Sequence, residues 1–137
     1  MSYLLSNAFQ PPEKIRKMQE DKLGELLQYL QLHSPYYKEA FRSRSIDINS
    51  VRSLDDLEML PVTQKEDLQQ RNDDFLCVGK HKIIEYTSTS GTLGSPVTIA
   101  LTESDLDRLA YNECASFACA DGGSEDIFQL MLTLDRQ

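Results

Sequence analysis

Tyr86-Thr-Ser-Thr-Ser-Gly-Thr-Leu-Gly-Ser-Pro-Val-Thr98 is the stretch that decides how this chain is read. It packs the hydroxyls of Thr87, Ser88, Thr89, Ser90 and Thr92 around Gly91 and Gly94. Those two glycines lack a Cβ, so the backbone there can take positive φ and approach a ligand closely. Successive N–H groups in such a loop can form a concave anion site, and the hydroxyls add neutral donors. Gly/Ser/Thr stretches also make ordinary turns, so composition alone leaves both readings open.

The flanks narrow the choice. Lys82-Ile-Ile-Glu-Tyr-Thr87 leads in with β-favouring residues, and Val97-Thr-Ile-Ala-Leu101 leads out with Val97, Ile99 and Leu101 on one face. The loop is therefore expected to join strand to strand. A G-x-x-x-x-G-K-[ST] nucleotide loop needs a helix directly after it and its own lysine, and neither is here. The G-x-G-x-x-G fingerprint is absent as well.

The 137 residues can form one domain with its own core. A formal net charge of −8 lacks the clustered Lys and Arg of a nucleic-acid binder, so no nucleic-acid partner is expected. No apolar run approaches membrane-spanning length, and Met1-Ser-Tyr-Leu-Leu-Ser-Asn7 does not read as a signal peptide. No membrane partner is expected, and a cytoplasmic location is. Cys77, Cys114 and Cys119 contain no C-x-x-C pair and are read as buried reduced thiols, with zinc disfavoured.

Upstream the pattern is helical. From Glu13 to about His33, Ile15, Met18, Leu23, Leu26, Leu27 and Leu30 form one broad core-facing stripe. Ser34-Pro35 restarts a helix with Tyr36, Tyr37, Ala40 and Phe41 on its apolar side, and His33 suits the preceding C-terminus rather than a catalytic role. Ile46 to Arg52 reads as a connector. Ser53 with Asp56 opens a short helix ended by Pro61, and Thr63 with Glu66 is expected to box the next one, with Leu68 facing in. A short strand is expected at Phe75–Val78. Lys80, His81 and Lys82 read as turn charges that could approach a phosphate. Thr102-Glu-Ser-Asp105 boxes a helix through Leu106, Leu109, Ala110, Ala115, Phe117 and Ala118, ending near Asp121-Gly-Gly123. Residues 127–133 are then expected to be a buried strand.

Thr89, Ser90, Gly91, Thr92, Gly94 and Pro96 fit the pattern [ST]-S-G-[ST]-[ST]-G-x-P-K, and on them the loop resembles the phosphate loop of acyl-adenylate-forming enzymes. Leu93 and Val97 depart from it, and Ser95 stands where a lysine often precedes the proline in one branch, so neither usual lysine is present. His33-Ser-Pro-Tyr-Tyr-Lys with Phe41, then Ile46-Asp47, then Leu54-Asp-Asp-Leu and Leu60-Pro-Val-Thr-x-Lys-Glu-Asp-Leu68, follow the order of the opening of phenylacetate–coenzyme A ligases. The resemblance runs from about residue 24 to the end.

That resemblance implies an α/β fold: the N-terminal portion of the adenylate-forming large domain, a helical N-terminal half followed by strands around a Gly-rich hairpin loop. Residues 1–81 would be the helical segment. Residues 82–137 would be the hairpin, a helix and the start of the central sheet. The implied activity is ATP-dependent activation of a small aryl or acyl carboxylic acid: its carboxylate attacks the α-phosphate, and coenzyme A thiolate then displaces AMP. ATP, Mg2+ and coenzyme A are implied, with Thr89, Ser90, Gly91, Thr92 and Gly94 binding ATP phosphate. The family's remaining machinery would lie downstream, so no catalytic residue and no metal ligand is expected in this chain. The chain is read as an incomplete N-terminal piece or truncated copy, inactive alone. Two alternatives stay open: an adenylating enzyme with an acceptor other than coenzyme A, and a non-catalytic remnant or interaction module that would form a homodimer through its free sheet edge.

Overall fold

The computed structural model describes residues 10–89 and 96–129. Helix α1 spans Pro12–His33 and α2 spans Pro35–Ser43. Proline stands at the first position of each, where the missing N–H has no intrahelical partner anyway. Ser34 is the joint between them. Its backbone N–H bonds Leu30 O at 3.0 Å and closes α1, while its Oγ accepts the N–H of Tyr37 at 3.3 Å and opens α2. The same hydroxyl donates to Asp74 O at 3.0 Å, so this 1 % exposed polar side chain is satisfied in both roles.

The core is small and lies under these helices. Leu27, Phe41, Ile48 and Val51 are buried together, with Leu23, Leu30, Tyr37, Ile46 and Leu60 packed against them. Two expectations are corrected here. The α1 stripe is narrower than expected: Leu23, Leu27 and Leu30 face the core, whereas Leu26 is 50 % exposed, about 100° round the helix from Leu27. The segment read as a mere connector supplies two of the four core residues, because a 3-10 turn at Ile48–Ser50 turns Ile48 and Val51 inward.

A second 3-10 turn, Leu54–Met59, is capped as expected: Asp56 Oδ2 accepts from the N–H groups of Arg52 and Ser53 and from the Ser53 hydroxyl, each at 2.9 Å. These bonds, the Arg52 N–H foremost, hold the Asp56 carboxyl below its ordinary pKa. Helix α3 spans Lys65–Gln70, but its box is one residue later than expected. Gln64 N–H donates to Asp67 Oδ2 at 2.8 Å, and Thr63 is drawn away by a 2.9 Å hydroxyl bond with Tyr37. The expected strand at 75–78 is absent. Asn72–Phe75 is a 3-10 turn, and the Asp74 and Cys77 carbonyls are taken by Ser34 and Tyr29 hydroxyls, not by a neighbouring strand.

Strands β1, Ile83–Ser88, and β2, Thr98–Thr102, pair antiparallel with Ser88 opposite Thr98, and a bulge between Ile83 and Glu85 leaves Ile84 as the extra residue. Val97 is buried, but Ile99 is 47 % exposed, so the expected common inward face does not hold in full. Helix α4, Glu103–Cys119, closes as expected: Asp121 takes φ 61°, and the Gly122 N–H reaches back to Phe117 O at 2.8 Å. No residue of α4 is buried. Residues 127–129 are not a strand, and Ile127 is 99 % exposed, while Phe128 turns back onto Phe117 with ring centroids 4.4 Å apart. The rest of that expected strand, 130–133, lies outside the described residues.

The α4 cap carries a pH prediction. Asp105 Oδ2 accepts from Thr102 N–H at 3.0 Å and Thr102 Oγ1 at 2.8 Å, which lowers its pKa below 3.8, with Arg108 adding a weaker pull. A carboxyl lowered on folding adds stability that is full above its unfolded value and is lost as pH falls through the folded one. Asp105→Asn is therefore expected to lower the melting temperature at neutral pH, with the gap to the parent closing below pH 3.8. A gap of constant size across that range would remove this cap from the acid response.

Candidate functional site

The strand pair carries the candidate site. Of the six residues of the glycine loop pattern, Thr89 and Pro96 are described, and Ser90, Gly91, Thr92 and Gly94 lie outside the described residues. Thr89 closes the end of the strand pair from both sides. Its N–H donates to Val97 O at 3.1 Å, and its Oγ1 accepts the Val97 N–H at 3.0 Å. A hydroxyl that accepts a bond still carries a hydrogen to donate. Val97 itself is buried, at 6 % exposure. Asn72 reaches 26 residues along the chain to donate from Nδ2 to Thr98 O at 2.8 Å. Sequence reasoning missed Asn72, because an asparagine after a short helix is an ordinary turn residue.

The basic triplet is at the other end of β1. Lys80–Lys82 forms a 3-10 turn just before Ile83, and Lys80 pairs with Asp73 at 2.9 Å. Lys82 stands six residues from Ser88 along an extended strand, about 20 Å from the loop end. These cations are turn charges, as the sequence indicates. His33 is the last residue of α1, exposed, with its ring 4.7 Å from that of Tyr29, which suits a helix end.

A cleft of about 740 Å³ runs between α1, residues 75–82, the start of β1 and the N-terminus of α4. Tyr29, Cys77, Lys82, Ile84, Ala100 and Thr102 are among its walls. Thr89 and Pro96, the described residues of the loop pattern, are not among them. Cys77 is half-buried there, and desolvation raises its thiol pKa. Cys114 and Cys119 are exposed rather than buried, because no described element covers that part of α4. Among the described residues, no group of three or more His, Cys, Asp or Glu could hold a metal ion.

The motif segments that lie far apart in sequence meet in space. Tyr37 of His33-Ser-Pro-Tyr-Tyr37 shares a hydroxyl bond with Thr63 of Leu60-Pro-Val-Thr63. Tyr36 stacks on Phe75 at 4.1 Å, with the Arg71 guanidinium 5.2 Å from the Tyr36 ring centre and bound to both Glu39 and Asp74. These residues are the frame that carries the strand pair.

Comparison with known proteins gives the frame its relatives. The phenylacetate–coenzyme A ligase of Thermus thermophilus is 31 % identical over 111 residues, 80 % of this chain and 25 % of that enzyme. The Escherichia coli phenylacetate–coenzyme A ligase is 26 % identical over 115 residues, 83 % of this chain and 26 % of that enzyme. Over about four fifths of its length the chain is similar to phenylacetate–coenzyme A ligases. It spans about a quarter of the length of these curated relatives. A crystal structure of 2-hydroxyisobutyryl-CoA ligase, in complex with 2-HIB-AMP and CoA in its thioesterification state, superposes with a TM-score of 0.69. It is 26 % identical and covers 75 % of this chain and 23 % of that one. No family model matches the chain. The helix-rich fold of the described residues, with its small antiparallel strand pair, thus matches a fragment of an adenylate-forming ligase. No helix among the described residues is long and apolar enough to cross a membrane.

Proposed function

We propose that this chain is the N-terminal part of an acid–coenzyme A ligase that activates a small aryl or acyl carboxylic acid with ATP. On this reading Thr89, Ser90, Gly91, Thr92 and Gly94 hold the ATP phosphates in a Gly-rich hairpin loop. Residues 1–81 are its helical support, and 82–137 carry the loop and the entry to a larger sheet. The observation that carries it is the stem. Thr89 and Val97 are locked together at the end of an antiparallel pair, immediately beside a stretch rich in glycine and hydroxyls. The Thr89 hydroxyl keeps a hydrogen to donate, which fits an anion. When bound, ATP supplies the adenylyl group, Mg2+ neutralises phosphate charge and coenzyme A supplies the accepting thiol. This chain's contribution is to bind and orient.

The uncovered apolar side chains fit the role of one part among several. Ile84, Tyr86, Ile99, Leu109, Tyr111 and Phe117 are each more than 40 % exposed on the strand pair and α4. A cytoplasmic location follows from the same reading. The test is ATP–pyrophosphate exchange by the natural gene product against a panel of aryl and short-chain acids, with its intact mass measured alongside. Acid-dependent exchange by a product several times this length is the expected result. A stable product of this length without exchange would favour a non-catalytic remnant.

A further inference from the structure

Three hydrogen bonds and one buried side chain meet at the end of the strand pair. Two of the bonds, between Thr89 and Val97, join β1 to β2 and say nothing about where the pair stands. The third comes from the helical half: Asn72 Nδ2 to Thr98 O, 2.8 Å, one residue beyond buried Val97. Thr98 is the first residue of β2 and is paired with Ser88, so a bond to its carbonyl fixes both strand ends at once. Asn72 is itself held. It opens the 3-10 turn Asn72–Phe75, whose Asp74 carbonyl is gripped by Ser34 and whose Phe75 ring is stacked on Tyr36. A series of contacts therefore runs from the helix joint at Ser34, through the 72–75 turn, to the strand ends.

We propose that Asn72 is a positioning residue for ATP: its carboxamide fixes the strand ends at Thr89, Val97 and Thr98 on the helical half, and through Thr89 it sets the geometry offered to the phosphate. This rests on the phosphate-loop reading above. A carboxamide suits the task. It offers a neutral directional donor, whereas a lysine or arginine there would compete for the phosphate. Losing one neutral hydrogen bond of this kind leaves the fold standing but frees the stem, and the expected change is about two- to tenfold in ATP affinity.

The experiment uses the intact gene product, with Mg2+-ATP as the probe. Asn72→Ala is expected to raise the KM for ATP in pyrophosphate exchange about two- to tenfold with little change in kcat. It should also speed hydrogen exchange of the Thr89 and Val97 amides in the absence of nucleotide, with the melting temperature near that of the parent. Asn72→Gln, which keeps the donor, is expected to recover part of both effects. If Asn72→Ala matches the parent in KM and in amide exchange while a Gly91→Ala/Gly94→Ala variant loses ATP, the positioning role is overturned and the loop reading stands. If neither variant alters ATP use in a folded protein, the loop reading falls and takes this inference with it.

Discussion

Phe41→Ala is expected to remove most of the stability of the helical half. Phe41 is 3 % exposed at the centre of a cluster whose other buried members are Leu27, Ile48 and Val51. Its ring also lies 5.8 Å from that of Tyr37, which carries the hydroxyl bond to Thr63. Truncating a buried phenylalanine to alanine costs about 3–5 kcal/mol, from lost transfer energy and from the cavity left behind. A whole domain commonly has only about 5–15 kcal/mol in hand. With a core this small, little else can close over the hole. The matched control is Leu26→Ala, a large apolar residue on the same helix pair at 50 % exposure, expected to cost about 0.5 kcal/mol or less. Urea unfolding followed by circular dichroism measures both. Equal midpoints for the two variants would contradict the core as described.

What the sequence made legible was whatever depends on local chemistry. Pro12 and Pro35 at helix starts, Ser34 as a cap, Asp56 and Asp105 as box acids, and the reversal after α4 at Asp121 all follow from the needs of a few neighbouring backbone groups. Errors arose where a distant residue outbid a local one. Thr63 has the right spacing for a capping box, but the Tyr37 hydroxyl takes it, and Gln64 with Asp67 caps α3 instead. Phe75–Val78 has strand-like residues, yet Phe75 is held by Tyr36 and Tyr37 rings and the carbonyls nearby by Ser34 and Tyr29. Apolar pattern also overstated burial on α4, whose Leu109 and Phe117 remain exposed, because a pattern records a tendency to be covered and not the presence of a cover. The candidate site divides the same way. Its glycines and hydroxyls can be picked out of the sequence by composition and motif. Asn72, which meets Thr98 only after folding, cannot.

Gly91→Ala with Gly94→Ala is expected to weaken ATP binding in the intact protein by about tenfold or more while leaving the fold in place. Two physical terms act together. A Cβ disfavours positive φ by roughly 1–2 kcal/mol per residue, and an anion-holding run of N–H groups depends on such conformations. A Cβ also stands in the path of a phosphate that must approach the backbone closely. The first term alone, at both positions, reaches the tenfold scale, since about 1.4 kcal/mol is a factor of ten. The chain has no lysine at Ser95 or Val97 to share the charge, so a phosphate held here would depend more on backbone donors, and the loss should exceed that of a loop with a lysine. The double variant leaves Leu27, Phe41, Ile48 and Val51 unchanged, so the urea midpoint should match the parent. The double variant thus separates binding from folding. Nucleotide titration by calorimetry and urea unfolding are run on the same preparation, and full ATP affinity in a folded double variant would withdraw the phosphate role from these two glycines. Returning a lysine by Ser95→Lys in the parent is the converse arm, and tighter ATP binding there would tie the missing charge to the same anion.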